Sequence, residues 1–196
     1  MSRNRILKNV AANKPGKIDL PNRMENSDNE YVELTGKFID LAKSAGSEIV
    51  EMDSTEKVKE WINRQKSNGK AIFDLTQKSD EHTEQTLSAH DFSNSGIVVL
   101  TAQLGVAENG AVWIDEKYMQ IRKLPFITNH LVLVLKKKNI LADMLQAYDL
   151  IDLSKTGFGV FIAGPSKTAD IEQSLVIGAH GPISHTILLL TQNHKQ

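Results

Sequence analysis

The chain has no cysteine in 196 residues. That excludes disulfides, thiolate metal sites, thiol nucleophiles and any iron–sulfur cluster held by the chain's own thiolates. It also lacks an excess of either charge: 23 basic residues face 24 acidic ones, for a net charge of -1. Such a balance gives no general pull toward nucleic acid or an anionic membrane, although a local basic pocket is compatible with it. Long apolar runs are missing too. The longest, Leu131 to Leu135, has the length of a strand, so no segment reads as a membrane span. The opening residues Met1-Ser2-Arg3-Asn4-Arg5-Ile6-Leu7 carry charge and no apolar stretch of the secretory type. Together these absences lead us to expect a cytoplasmic protein.

What is present is an ordinary globular composition, 40% hydrophobic and 24% charged. Residues 1–29 read as a short helix and a polar arm broken at Pro15-Gly16 and Pro21; residues 30–196 read as one domain with a single core. In that domain Leu34, Phe38, Leu41, Ala42 and Ala45 recur at helical spacing, and Gly46 is placed to stop the helix. Glu48-Ile49-Val50 follows as a strand. Asp53 with Glu56 has capping-box spacing ahead of a helix carrying Val58, Trp61 and Ile62, which Asn68-Gly69 ends. Further strands are expected at Ala71 to Phe73, Ile97 to Leu100, Ala111 to Ile114, Leu131 to Leu135, Val160 to Ala163 and Thr186 to Leu190. Helices are expected on the stripe Leu141, Met144, Leu145 and Tyr148 and over Ala169 to Ile177, with loop and one helix between Asp74 and Asn94. Strands alternating with helices predict an α/β fold with a mainly parallel sheet flanked by helices.

Three segments could carry chemistry. In the first, Gly164-Pro165 turns the chain out of a strand, and Ser166, Lys167 and Thr168 stand at the expected helix N-terminus, where free N–H groups, the helix dipole and a lysine favour an anion. Open α/β sheets bind ligands beyond the carboxyl ends of strands, which suits that position. Simple capping by Ser166 or Thr168, with Asp170 complementing the dipole, fits the same residues. Asp170 and Glu172 are two apart and make a poor carboxylate pair, though either one, if buried, is an acid–base candidate. In the second segment, Glu108 precedes Asn109-Gly110, a hairpin-turn signal that could present the carboxylate as a nucleophile, base or hydrogen-bond acceptor. In the third, His180 lies in Gly178-Ala179-His180-Gly181-Pro182, free to act as a base or to hold a carboxylate. His180 and His185 lack metal spacing and a third ligand, so no metal is expected. Ser184 beside His185 is no triad signal by itself. His130 reads as a pocket or satisfied core histidine, while His82, His90 and His194 read as solvated.

Phe161-Ile162-Ala163-Gly164-Pro165-Ser166-Lys167-Thr168-Ala169-Asp170-Ile171-Glu172, with Leu175-Val176 and Gly178 to Pro182, closely resembles the signature of the lactate-utilisation protein C family, or LUD domain. Leu124-Pro125 with His130-Leu131 resembles another of its segments. The resemblance covers about Ser95 to Leu190. It implies a fold like that of the NagB/RpiA/CoA-transferase group and a part in oxidising L-lactate to pyruvate, in a three-protein system whose partners carry iron–sulfur clusters. Where the family often has Ala-Glu-Thr-Gly-Thr, this chain has Ala107-Glu108-Asn109-Gly110-Ala111, which keeps the glutamate and glycine and drops two hydroxyls. Glu108-Asn109-Gly110 also resembles the catalytic motif of some CoA-transferases.

Three readings follow. The first is a non-redox component of a lactate-oxidising system, binding a small carboxylate or an iron–sulfur partner through Glu108, Ser166, Lys167, Thr168, His180 and their neighbours Asp170 and Glu172. The second is an enzyme of the CoA-transferase or cyclo-ligase kind that uses Glu108. The third is a structural subunit without a ligand site.

Overall fold

Strand runs that are apolar at every position need cover on both faces, and the structure, a computed structural model, shows how this chain provides it. It describes residues 2–15, 31–69, 71–76, 96–119, 121–152, 155–169 and 175–191. In chain order the helices are α1 (Arg3–Ala12), α2 (Tyr31–Ser44), α3 (Thr55–Ser67), α4 (Leu124–Ile127) and α5 (Met144–Leu150). The strands are β1 (Ser47–Met52), β2 (Ile72–Asp74), β3 (Ile97–Thr101), β4 (Leu104–Val106), β5 (Ala111–Asp115) and β6 (His130–Lys136). They continue as β7 (Ile140–Leu141), β8 (Gly159–Ile162), β9 (Lys167–Ala169), β10 (Leu175–Ile177) and β11 (Ser184–Leu190).

Five strands form an all-parallel sheet in the order β1-β11-β6-β3-β2. Side chains alternate across it, as the pleat requires. Leu131, Leu133 and Leu135 of β6, with Ile187 and Leu189 of β11, pack with Phe38 and Ala42 of α2. Val132, Val134, Leu188 and Leu190 point the other way and pack with Val58 and Ile62 of α3. Each such burial is worth roughly 1.5–3 kcal/mol. A second sheet, β7-β4-β5-β8, is mostly antiparallel and shares the α2 side of the core through Val112, Ile114 and Ile140. Its other face, with Val106, Trp113 and Phe161, packs with Ala147 of α5.

The parallel sheet flanked by helices is thus the architecture expected, with local differences. The N-cap of α3 is Ser54, whose side chain accepts from the Lys57 backbone N–H at 3.4 Å, and not Asp53 one residue earlier. Leu141 belongs to β7 rather than to a helical stripe, and Leu145 and Tyr148 are exposed while Ala147 is the buried residue of α5. The start of α5 is set by Asp143, which accepts from the Gln146 N–H at 2.8 Å, while the Gln146 side chain accepts from the N–H of Ala142, one residue before the cap, at 3.0 Å. The segment expected to hold a helix between Asp74 and Asn94 lies outside the described residues from 77 onward.

The β4–β5 hairpin drives its turn into α2. Gly110 has φ +69°, and a Cβ there would overlap the backbone of Ala42. Gly110→Ala is therefore expected to cost about 2–4 kcal/mol, combining left-handed strain with overlap against a helix backbone. Gly36→Ala, in open space on the exposed side of α2, should instead gain about 0.5–1 kcal/mol. Denaturant unfolding of both variants checks the pair.

Candidate functional site

The signature segment leaves β8 and turns onto the carboxyl end of α2. Gly164 has φ +79°, and a Cβ on it would overlap the Ala45 carbonyl oxygen. The Lys167 ammonium donates to that same oxygen at 2.7 Å. Ala45 directly follows the last residue of α2, so the lysine meets the negative end of a helix dipole and satisfies a carbonyl left over by the helix. Lys167 was expected at the start of a helix. It is a strand residue that closes the end of one.

The helix expected over Ala169 to Ile177 is replaced at both described ends by strands. β9 and β10 pair antiparallel, with Lys167 opposite Ile177 and Thr168 opposite Val176. Thr168, Val176 and Ile177 are β-branched, and a pleated ribbon suits such side chains better than a helix does. Asp170 and Glu172 lie outside the described residues.

The same turn is tied to the third segment. The Ser166 N–H donates to the Pro182 carbonyl at 2.9 Å, and the Ser166 carbonyl accepts from the Gly178 N–H at 2.9 Å. Gly181 lies against the Ser166 side chain. Ser166, Lys167, Thr168 and the exposed His180 are therefore brought into one region. It borders the amino ends of β1 and β11, because Ala45 precedes β1 and Pro182 precedes β11. The carboxyl-end geometry expected from the sequence does not apply, since β8 belongs to the second sheet.

Glu108 is placed elsewhere. It sits exposed in the β4–β5 turn, and its Oε2 accepts from the Met144 N–H at 2.9 Å, beside the Asp143 cap of α5. Asn109 folds back to accept from the Ala111 N–H at 3.0 Å. Among the described residues no hydrogen bond or ion pair joins Glu108 to Lys167 or His180.

Two serine–histidine pairs line the amino edge of the parallel sheet. His130 Nδ1 lies 2.6 Å from Ser184 Oγ, and His185 Nδ1 lies 2.8 Å from Ser47 Oγ. His185 is 1% exposed, and its Nε2 has no hydrogen-bond partner among the described residues. Burial pushes its pKa down from 6.5 to about 4, because a second ring proton would place a charge in the interior. Ser47 was missed from the sequence. Its partner is 138 residues away, and only the pairing of β1 with β11 brings them together.

The LUD domain model matches residues 8–190. The chain belongs to the LUD domain family. It is 31% identical to lactate utilization protein C of Anoxybacillus flavithermus over 61% of this chain and 52% of that protein. It is 24% identical to lactate utilization protein C of Bacillus subtilis over 74% of this chain and 73% of that protein. The match thus spans about half the length of the Anoxybacillus relative. Among solved structures, a DUF162 family protein from Deinococcus radiodurans superposes with a TM-score of 0.62 at 13% identity, over 83% of this chain and 99% of that one. That likeness establishes the α/β fold.

This LUD domain has no thiolate with which to hold an iron–sulfur cluster. Among the described residues no group of three or more His, Asp or Glu side chains could hold a metal ion, and no helix is long and apolar enough to cross a membrane.

The buried His185 gives a pH test. Its folded pKa of about 4 lies below the ordinary 6.5, so the unfolded chain takes up a proton in that window that the folded chain refuses. Stability should fall as pH drops from 6.5 toward 4, by on the order of 3 kcal/mol in total, and then level off for this group. His185→Gln should flatten that part of the curve. Parallel wild-type and variant curves of unfolding free energy against pH would contradict the assignment.

Proposed function

We propose that this LUD domain is a component of an L-lactate utilisation system that carries no cluster of its own, and that the signature region docks an iron–sulfur partner around a small carboxylate site. Support comes from the family, from the two relatives named for lactate utilisation, and from the absence of cysteine, which is compatible with clusters carried by other chains. The observation that carries the docking surface is local. Phe126, Val176, Ile177 and Ile183 are all exposed. Val176 and Ile177 lie on β10, Ile183 packs at Gly178, and the Phe126 backbone approaches Gly181. Exposed apolar side chains gathered into one patch with polar groups at its border mark an interaction site. His180 is exposed in the turn that follows β10, and it is the group we assign to the carboxylate or the proton of a 2-hydroxy acid.

Lys167 contributes in this reading by holding the region on α2. Its bond to Ala45 leaves the anion less to gain from it. Glu108 is assigned to holding α5, which argues against its use as a covalent nucleophile.

Purified protein should bind lactate or pyruvate, or associate with the cysteine-rich iron–sulfur proteins of a lactate-oxidising system. His180→Ala should weaken that binding roughly tenfold, about 1.4 kcal/mol. The absence of both ligand binding and partner association in titration calorimetry would refute the reading. Incubation with acyl-CoA should leave the intact mass unchanged; an adduct on Glu108 would establish the transferase alternative instead.

A further inference from the structure

An asparagine followed by glycine is chemically vulnerable, because no Cβ shields the glycine nitrogen from the asparagine side chain. The chain has two such pairs, Asn68-Gly69 and Asn109-Gly110. Both asparagines are exposed, and both glycines are left-handed, at φ +78° and +69°. Their surroundings are opposite.

Asn109-Gly110 is built into the core. The Asn109 side-chain oxygen accepts from the Ala111 N–H at 3.0 Å, and the Gly110 N–H donates to the Val106 carbonyl at 2.9 Å. Gly110 is buried against the backbone of α2 at Ala42. Bringing its nitrogen to the Asn109 side chain requires lifting the β4–β5 turn off that helix. Asn68-Gly69 instead ends α3. Asn68 is the C-cap, and Gly69 is exposed with open space where a Cβ would be. The Asn68 N–H donates to the Arg64 carbonyl at 3.2 Å and the Gly69 N–H to the Lys66 carbonyl at 3.0 Å. Val58 and Ile62, the buried residues of α3, lie earlier in the helix. The last turn can therefore fray without disturbing the core.

We propose that Asn68 is a site of spontaneous deamidation in the folded protein and that Asn109 is protected from the same reaction. The Gly69 nitrogen attacks the side-chain carbonyl carbon of Asn68 and gives up its proton. The bond to the side-chain nitrogen breaks, and ammonia leaves with that proton. Water then opens the resulting cyclic imide at one carbonyl or the other, giving aspartate or isoaspartate. Water is taken up and ammonia released, with no other reactant. Either product sets a carboxylate at the carboxyl end of α3, where the helix dipole and the leftover carbonyls disfavour negative charge. Isoaspartate also reroutes the main chain through the side chain just ahead of β2.

The full chain is aged at mildly alkaline pH, folded and in denaturant, and residues 68 and 109 are followed by peptide mass mapping. In denaturant the two sites should convert at similar rates, since glycine follows both. In the folded protein Asn68 should convert within roughly tenfold of its unfolded rate, while Asn109 is slowed more than about a hundredfold. An isoaspartate methyltransferase should label the peptide that holds residue 68. Asn68→Gln, at an exposed position, should leave thermal unfolding unchanged and remove that label. Equal conversion at the two sites of the folded protein, faster conversion at Asn109, or protection of both would overturn the proposal.

Discussion

The carboxyl-terminal turn of α2 is the constraint on which the rest of the structure depends. From one side, the β4–β5 turn comes so close to Ala42 that only a glycine fits at position 110. From the other, the signature turn comes so close to Ala45 that only a glycine fits at 164, and Lys167 closes the last carbonyl. Phe38 and Ala42, fully buried on the same helix, tie the two sheets into one core. Two backbones can approach a helix this closely only where the approaching residue has no side chain. In this chain the Glu108-Asn109-Gly110 and Gly164-Pro165-Ser166-Lys167 segments are therefore, first, the means by which two sheets share a helix.

This accounts for what was legible in the sequence. Period-2 and period-3.6 patterns report which residues face a core, so the parallel strands, α2 and α3 were readable from their apolar residues alone. Glu108-Asn109-Gly110 was readable as a turn because the turn chemistry is local. Asp143 and Gln146 also had capping-box spacing, a signal passed over because the Leu141 to Tyr148 stripe drew the helix too early. Other features had no local signal. Lys167 finds its partner 122 residues away in sequence, and Ser47 finds His185 at a distance of 138. The stretch from Ala169 to Ile177 reads as a helix from the sequence, whereas its described ends belong to the strands Lys167–Ala169 and Leu175–Ile177. Its β-branched residues were the available clue.

The functional picture divides along the same line. Lys167 and Glu108, the residues that looked most chemical, are committed to helix ends. His180 is exposed in the turn between β10 and β11. Cysteine is absent, so the chain holds no iron–sulfur cluster through thiolates of its own, and the proposed part for it is recognition.

That claim is tested most directly by growth on lactate of a host that needs this protein, comparing wild type with Ile183→Asp. Ile183 is 52% exposed, so the substitution should leave thermal unfolding unchanged. A recognition surface centred on His180 predicts that the variant fails to support growth while remaining folded and abundant. Full growth with Ile183→Asp would contradict it.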